Sequence, residues 1–214
     1  MDYIVSIIPQ MFGGLKTTFD VFAFTILFSI PLGFLLAVGR MSSFRPLQAI
    51  IAMYVWALRG TPLMLQLFFF YFALPAVGIR FSDFEAAILA FVCNYAAYFC
   101  EIFRSGIQAI PVGQYEAAQT LGMNYLQTLR RVIMPQMFAV ILPPLSNETI
   151  TLVKDTSLVY VLAMNDLMRT TRNIVQRDFD ITPFFVAACF YLAATLFLTV
   201  VFDRLENKYS RYDK

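Results

Sequence analysis

Four ionisable side chains fall inside stretches that are otherwise apolar enough for lipid: Glu101, Glu148, Lys154 and Asp155. A charge at the centre of a bilayer costs about 2.5 to 3.5 kcal/mol on insertion scales, so such residues are candidates for function first. Asn94 and Glu101 are two helical turns apart, with Tyr98 between them at i+4 from Asn94, and the three form one polar stripe. Turned to a polar path between helices, that stripe offers a carboxylate to a cationic group, and Asn94 offers a hydrogen bond beside it. Turned elsewhere, Glu101 pairs with Arg104 at i+3 or reaches the cytoplasmic interface, and the spacing leaves both arrangements open. Lys154 and Asp155 are adjacent, about 100° apart on a helix, and cannot neutralise each other along one face. One arrangement has Asp155 at the path and Lys154 turned to a neighbouring helix, toward Glu148 or Glu101. The alternative is that these groups only hydrogen-bond helices together.

Other chemistries are excluded. The chain has no His, which removes Ser-His-Asp and Cys-His catalysis and the usual zinc and haem ligand sets. Cys93, Cys100 and Cys189 form no CxxC pair. No catalytic residue, metal or cofactor is expected, and an intramembrane enzyme has neither metal ligands nor a nucleophile with its base. Of 214 residues, 59% are hydrophobic and 14% charged, against about 25% charged in a soluble domain. Such a chain cannot coat a water-soluble globule. A net charge of +2 makes no field for nucleic acid.

The elements that must carry these residues read as an all-α polytopic membrane protein, one domain over 1–214. A crossing needs about 20 mostly apolar residues. Five stretches qualify, at about 21–38, 55–74, 85–103, 145–164 and 183–202. The second lies within Leu47–Leu74, which Arg59-Gly60-Thr61-Pro62 breaks. That break is either an unwound turn whose free backbone groups face the pathway or a plain helix start at the interface. The aromatic run Phe68–Phe72 covers every side of its helix and reads as packing or lipid contact. Asp2 without a basic n-region marks the first span as retained rather than a signal peptide. With the C-terminus inside, nine basic residues lie inside (Arg40, Arg45, Arg104, Arg130, Arg131, Arg204, Lys208, Arg211, Lys214) and five outside (Lys16, Arg80, Arg169, Arg172, Arg177), which favours N-outside, C-inside. The inside loop 104–144 is too long for a connector. Within it, Gln114–Gly122 reads as a short helix with Gly122 as a left-handed cap. It is either a docking element or an amphipathic helix lying on the membrane.

Glu116-Ala117-Ala118, three residues, Gly122, then Val132, Met134 and Pro135 resemble the EAA loop of the membrane subunits of bacterial ABC importers, with Val132 and Met134 where that family usually has Ile and Leu. Arg59-Gly60-Thr61-Pro62-Leu63, Glu101-Ile102 with Arg104-Ser105-Gly106-Ile107, and Lys154-Asp155-Thr156-Ser157-Leu158 are similar to the branch for polar amino acids such as histidine, glutamine, arginine and glutamate. The resemblance covers roughly residues 13 to 205. It implies a type I importer permease fold of five transmembrane helices in the bacterial inner membrane, paired with a second permease subunit, identical or paralogous. Two ATPase subunits bind beneath, and an extracytoplasmic binding protein delivers a small amino acid. It implies that the short helix is a coupling helix seated on the ATPase through Glu116, Ala117, Ala118, Leu121 and Gly122. It also implies a substrate site at Asn94, Tyr98, Glu101, Asp155, Thr156 and Ser157. No GxxxxGK[ST] occurs in the chain, so ATP belongs to the partner. The alternative is a self-contained secondary transporter or channel driven by an ion gradient through Glu101 and Asp155.

Overall fold

Where solvent offers no hydrogen bonds, a backbone must satisfy its own, and helices do so within one segment. The computed structural model, which describes residues 2–209, is helical with no strand among the described residues. Helix α1 (Asp2–Arg40) has 39 residues, about 58 Å at 1.5 Å per residue. It begins well before the expected 21–38, its first turns packing through Ile7 and Met11, and Lys16 and Asp20 pair along it at i,i+4 and 2.9 Å. Pro9 and Pro31 both lie inside it.

Helix α2 (Arg45–Gly60) meets the helical run Leu63–Val77, which opens with helix α3 (Leu63–Phe68), at a bend of 107°. Pro62 supplies no N–H and disfavours helical backbone at the residue before it, and Thr61 is accordingly extended at φ −118°, ψ 146°. A π turn over Phe69–Ala73 and a 3-10 turn over Leu74–Val77 lead on to helix α4 (Asp83–Gln108). Ser82 and Glu85 form a reciprocal capping box at its start.

The expected loop 104–144 is largely helical. It holds the end of α4, then α5 (Val112–Thr120), α6 (Tyr125–Thr128), a π turn at Leu129–Ile133, and the first turns of α7 (Met134–Asp155). At Thr156 the helix tightens to 3-10 through Leu162. Helix α8 (Leu167–Asp178) and helix α9 (Thr182–Tyr209) follow.

Among the described residues three helices, α1, α4 and α9, are long and apolar enough to cross a membrane, and α2 with the bent run Leu63–Val77 makes a fourth if it is one span. Helix α7 carries Glu148, Lys154 and Asp155 and does not reach that standard. Helix α4 lies at the centre, with Phe91, Tyr95 and Phe99 buried. It packs so closely on α1 that a Cβ at Gly33 would lie 2.6 Å from the Phe99 Cβ. The first half of α1 uses Ile7 and Met11 to join Leu167, Ile174 and Ala187 in a second apolar cluster with α8 and α9.

Candidate functional site

A helix that stops inside a protein leaves carbonyls without intrahelical partners. At the end of α2 they are taken up by two side-chain amides. Gln66 Nε2 donates to the Leu58 carbonyl at 2.8 Å, to the Thr61 carbonyl at 3.1 Å and to Thr61 Oγ1 at 2.9 Å. Asn94 Nδ2, from α4, donates to the same Leu58 carbonyl and to Gln66 Oε1, each at 3.1 Å. The Thr61 hydroxyl returns to the Ala57 carbonyl at 2.8 Å. The broken turn is thus held open, and it forms one wall of a cavity of about 630 Å³.

The cavity is lined by Arg59, Gly60, Thr61 and Pro62 at the break, by Asn94, Tyr95 and Tyr98 of α4, and by Glu148, Thr151 and Asp155 of α7. The Tyr95 hydroxyl donates to Asp155 Oδ2 at 2.8 Å, which orients the carboxylate. The Arg59 guanidinium lies 5.1 Å from the centre of the Tyr98 ring, within cation–π range. Glu148 and Asp155 are seven apart on α7 with Thr151 between them, so they share a face. One guanidinium and two carboxylates therefore converge in a small volume, which suits a zwitterion carrying charges of both signs.

Of the six residues expected at substrate, Asn94, Tyr98 and Asp155 line this cavity, and Glu101, Thr156 and Ser157 do not. Glu101 is one turn beyond Tyr98 along α4, where its carboxylate receives Arg40 Nη1 from the end of α1 and Arg104 Nη2 at 2.7 Å. Arg104 Nη1 donates in turn to Gln108 Oε1 at 2.6 Å. Thr156 is fully buried, and its hydroxyl donates to the Val153 carbonyl at 2.7 Å. Ser157 faces a second cavity with Lys154, on the other side of the helix from Asp155. Lys154 is exposed there and meets neither Glu148 nor Glu101. Asn94 also differs from expectation in its chemistry: both of its N–H groups are committed, so it presents only a carbonyl oxygen, which can accept from an ammonium but cannot donate to a carboxylate.

Arg59, Gln66, Tyr95 and Glu148 were not among the expected site residues. Gln66 had a legible signal, as the one amide in the apolar stretch that follows Pro62.

The short helix α5 ends as its sequence predicts. Gly122 has φ +71°, its N–H reaches the Gln119 carbonyl at 2.9 Å, and the Met123 N–H reaches the Ala118 carbonyl at 3.0 Å, which closes the helix in a Schellman-type cap. Glu116, Ala117, Leu121 and Gly122 are exposed, but Ala118 is 2% exposed and faces the protein. Ala118 therefore supports the helix and is removed from the expected contact surface. Around α5 and α6, Val112, Leu121, Tyr125 and Leu126 are each at least 70% exposed, an apolar patch of the kind that marks an interaction site. Gln136 Nε2 of α7 donates to Gln114 Oε1 of α5 at 3.2 Å, so α5 is tied to the helix that carries Glu148 and Asp155.

Comparison with known proteins finds relatives along nearly the whole chain. Residues 29–211 match the family described as "Binding-protein-dependent transport system inner membrane component". The chain is 38% identical to the L-cystine transport system permease protein TcyB of Bacillus subtilis (strain 168), over 95% of this chain and 88% of that protein. It is 36% identical to the arginine transport system permease protein ArtQ of the same organism, over 96% and 95%. Among solved structures it is similar to a chain from a crystal structure of an amino acid ABC transporter with histidines, at TM-score 0.87 and 33% identity over 96% of this chain and 97% of that one. The fold is shared with the inward-facing MetNI methionine ABC transporter, at TM-score 0.70 and 19% identity over 98% of both chains.

Proposed function

We infer the function from one premise: the chain belongs to the family of binding-protein-dependent transport system inner membrane components. It is the membrane-spanning permease subunit of an amino acid ABC importer and not itself an enzyme, since ATP is hydrolysed by a separate subunit in these systems. The comparisons do not favour an ion-driven carrier.

The cargo in this reading is a polar amino acid held in the cavity at the broken helix. Arg59 takes the α-carboxylate. The free Asp155 Oδ1 and the Asn94 carbonyl oxygen take the α-ammonium, and Glu148 and Thr151 meet the side chain. Tyr98 steadies the Arg59 guanidinium. Glu101 acts at one remove, clasping the ends of α1 and α4 together. The observation that carries this assignment is the convergence of one guanidinium, two carboxylates and a capped helix break on a single cavity.

The chain crosses the membrane five times, with the bent α2–α3 pair as one crossing and α7 with its 3-10 extension as another. The two carboxylates of that last crossing, Glu148 and Asp155, are sheltered by α4 and the pathway. The N-terminus lies outside and the C-terminus in the cytoplasm. Two permease subunits, identical or paralogous, enclose the path. Two ATPase subunits dock from the cytoplasm on α5 through Glu116, Ala117, Leu121 and Gly122, and a binding protein delivers the amino acid from the other side. Closure of the ATPase pair moves α5 as a rigid body, and the Gln114–Gln136 contact carries that movement to α7. Copurification tests the arrangement: tagged permease from native membranes brings down an ATPase, and Glu116→Lys weakens that association while the permease still inserts. Recovery of the permease alone, or an association indifferent to Glu116→Lys, overturns it.

A further inference from the structure

A second cavity, of about 320 Å³, lies on the opposite side of α7 from the polar one. It is lined by Lys154 and Ser157, by Met168 of α8, and by Phe184, Ala187, Ala188 and Tyr191 of α9. Lys154 is exposed, and among the described residues none of the ion pairs includes it. Its neighbour Asp155 is directed away and bonded to Tyr95. A bare ammonium beside a membrane-facing helix is costly unless something anionic meets it.

Three features say what that is. The apolar window of α9 is only 6% buried within this chain, so the outer face of this helix is open to lipid. Phe184 is in the first turn of α9, which begins at Thr182, so Lys154, sharing a cavity with Phe184, is near the level of lipid headgroups. Phe184, Ala187, Ala188 and Tyr191 then follow i, i+3, i+4, i+7, one stripe that descends about 10 Å into the bilayer at 1.5 Å per residue. The two alanines leave the hollow, and the aromatic rings stand at its two ends.

We propose that this groove binds an anionic phospholipid, its phosphate on the Lys154 ammonium and the Ser157 hydroxyl, and one acyl chain along Ala187 and Ala188. A free phosphate satisfies the cation but not the apolar walls. A zwitterionic lipid fills the walls and leaves the cation only half compensated.

The test is lipid titration into the detergent-solubilised permease–ATPase complex, read by native mass spectrometry. Phosphatidylglycerol is retained more tightly than phosphatidylcholine, and inorganic phosphate does not displace it. Lys154→Met weakens phosphatidylglycerol retention about fivefold, the effect of one lysine at a membrane surface, and leaves phosphatidylcholine unchanged. Lys154→Arg restores the preference. Ala188→Phe, which fills the hollow and keeps the charge, weakens retention as well. Equal retention of both lipids by the native chain, or indifference to Lys154→Met and Ala188→Phe, overturns the proposal. So does separation of the permease pair by Lys154→Met at any lipid charge, which would assign Lys154 to a contact between subunits.

Discussion

Replacing Asn94 tests whether the broken helix is held by side-chain amides. In Asn94→Ala two hydrogen bonds of 3.1 Å disappear, to the Leu58 carbonyl and to Gln66 Oε1. The Leu58 carbonyl keeps Gln66 Nε2 at 2.8 Å, whereas Gln66, itself only 6% exposed, loses the donor to its oxygen. At about 0.6 kcal/mol per bond in a membrane interior and about 1 to 3 kcal/mol for a buried acceptor left alone, the loss is roughly 1 to 3 kcal/mol. At about 2 to 4 °C per kcal/mol for a chain of this size, Tm falls by several degrees in a thermal-shift assay on the purified complex. Asn94→Asp keeps the shape but sets carboxylate oxygen against two acceptors, and it is expected to lower Tm further than alanine does. The pairing itself is read by a double-mutant cycle with Gln66→Leu, where contacting residues couple by at least about 0.5 kcal/mol. Strict additivity, or an unchanged Tm in Asn94→Ala, refutes the reasoning.

Gly33→Leu places side-chain atoms where even a Cβ meets Phe99 at 2.6 Å, so α1 and α4 are forced apart; the variant is expected to lose monodisperse elution on size exclusion, and normal elution contradicts the packing. Glu101→Gln releases Arg40 and Arg104, and because all three side chains are 18 to 28% exposed the loss is expected at about 1 to 2 kcal/mol rather than the 3 to 5 of a fully buried pair, as a fall in Tm that Arg40→Gln makes no worse. Asp178 receives Arg177 Nε at 2.6 Å and the Tyr3 hydroxyl at 2.9 Å; these hold its carboxyl at about 2, below the ordinary 3.8. A depressed carboxyl stabilises the fold above its ordinary value, and that contribution is lost as pH falls from about 3.8 through about 2. Carboxylate infrared titration is expected to show the low value return toward 3.8 in a Tyr3→Phe, Arg177→Gln double variant, and an unchanged titration contradicts the contact.

The break at Arg59-Gly60-Thr61-Pro62 and the cap at Gly122 were legible because proline chemistry and a left-handed glycine act locally. Asp155, Asn94 and Tyr98 were legible because a polar group in an apolar helix needs a partner. Glu101 shares the stripe of Asn94 and Tyr98 but takes the other arrangement its spacing left open, the i+3 pair with Arg104; its second partner, Arg40, comes from 61 positions earlier, which no helical period reveals. Ser157 lies two residues, about 200°, beyond Asp155 on a helix, so its spacing already sets it on the other side with Lys154, and only the resemblance placed it at the path. Glu148, one of the four intramembrane charges, lies at i−7 from Asp155, and that spacing alone sets it on the same face. The ends of α1 and α7 were missed because hydropathy marks what lipid can cover, whereas α1 continues outward to pack on α8 and α9.

The central claim is that this permease does no work of its own and is driven through α5. Reconstitution into sealed proteoliposomes measures that directly. Permease alone, under imposed proton or sodium gradients, is expected to accumulate no amino acid; permease with its ATPase, binding protein and ATP is expected to concentrate it, and Leu121→Asp on the exposed face of α5 to abolish that uptake. Accumulation by the permease alone, or full ATP-driven uptake by Leu121→Asp, would contradict the claim.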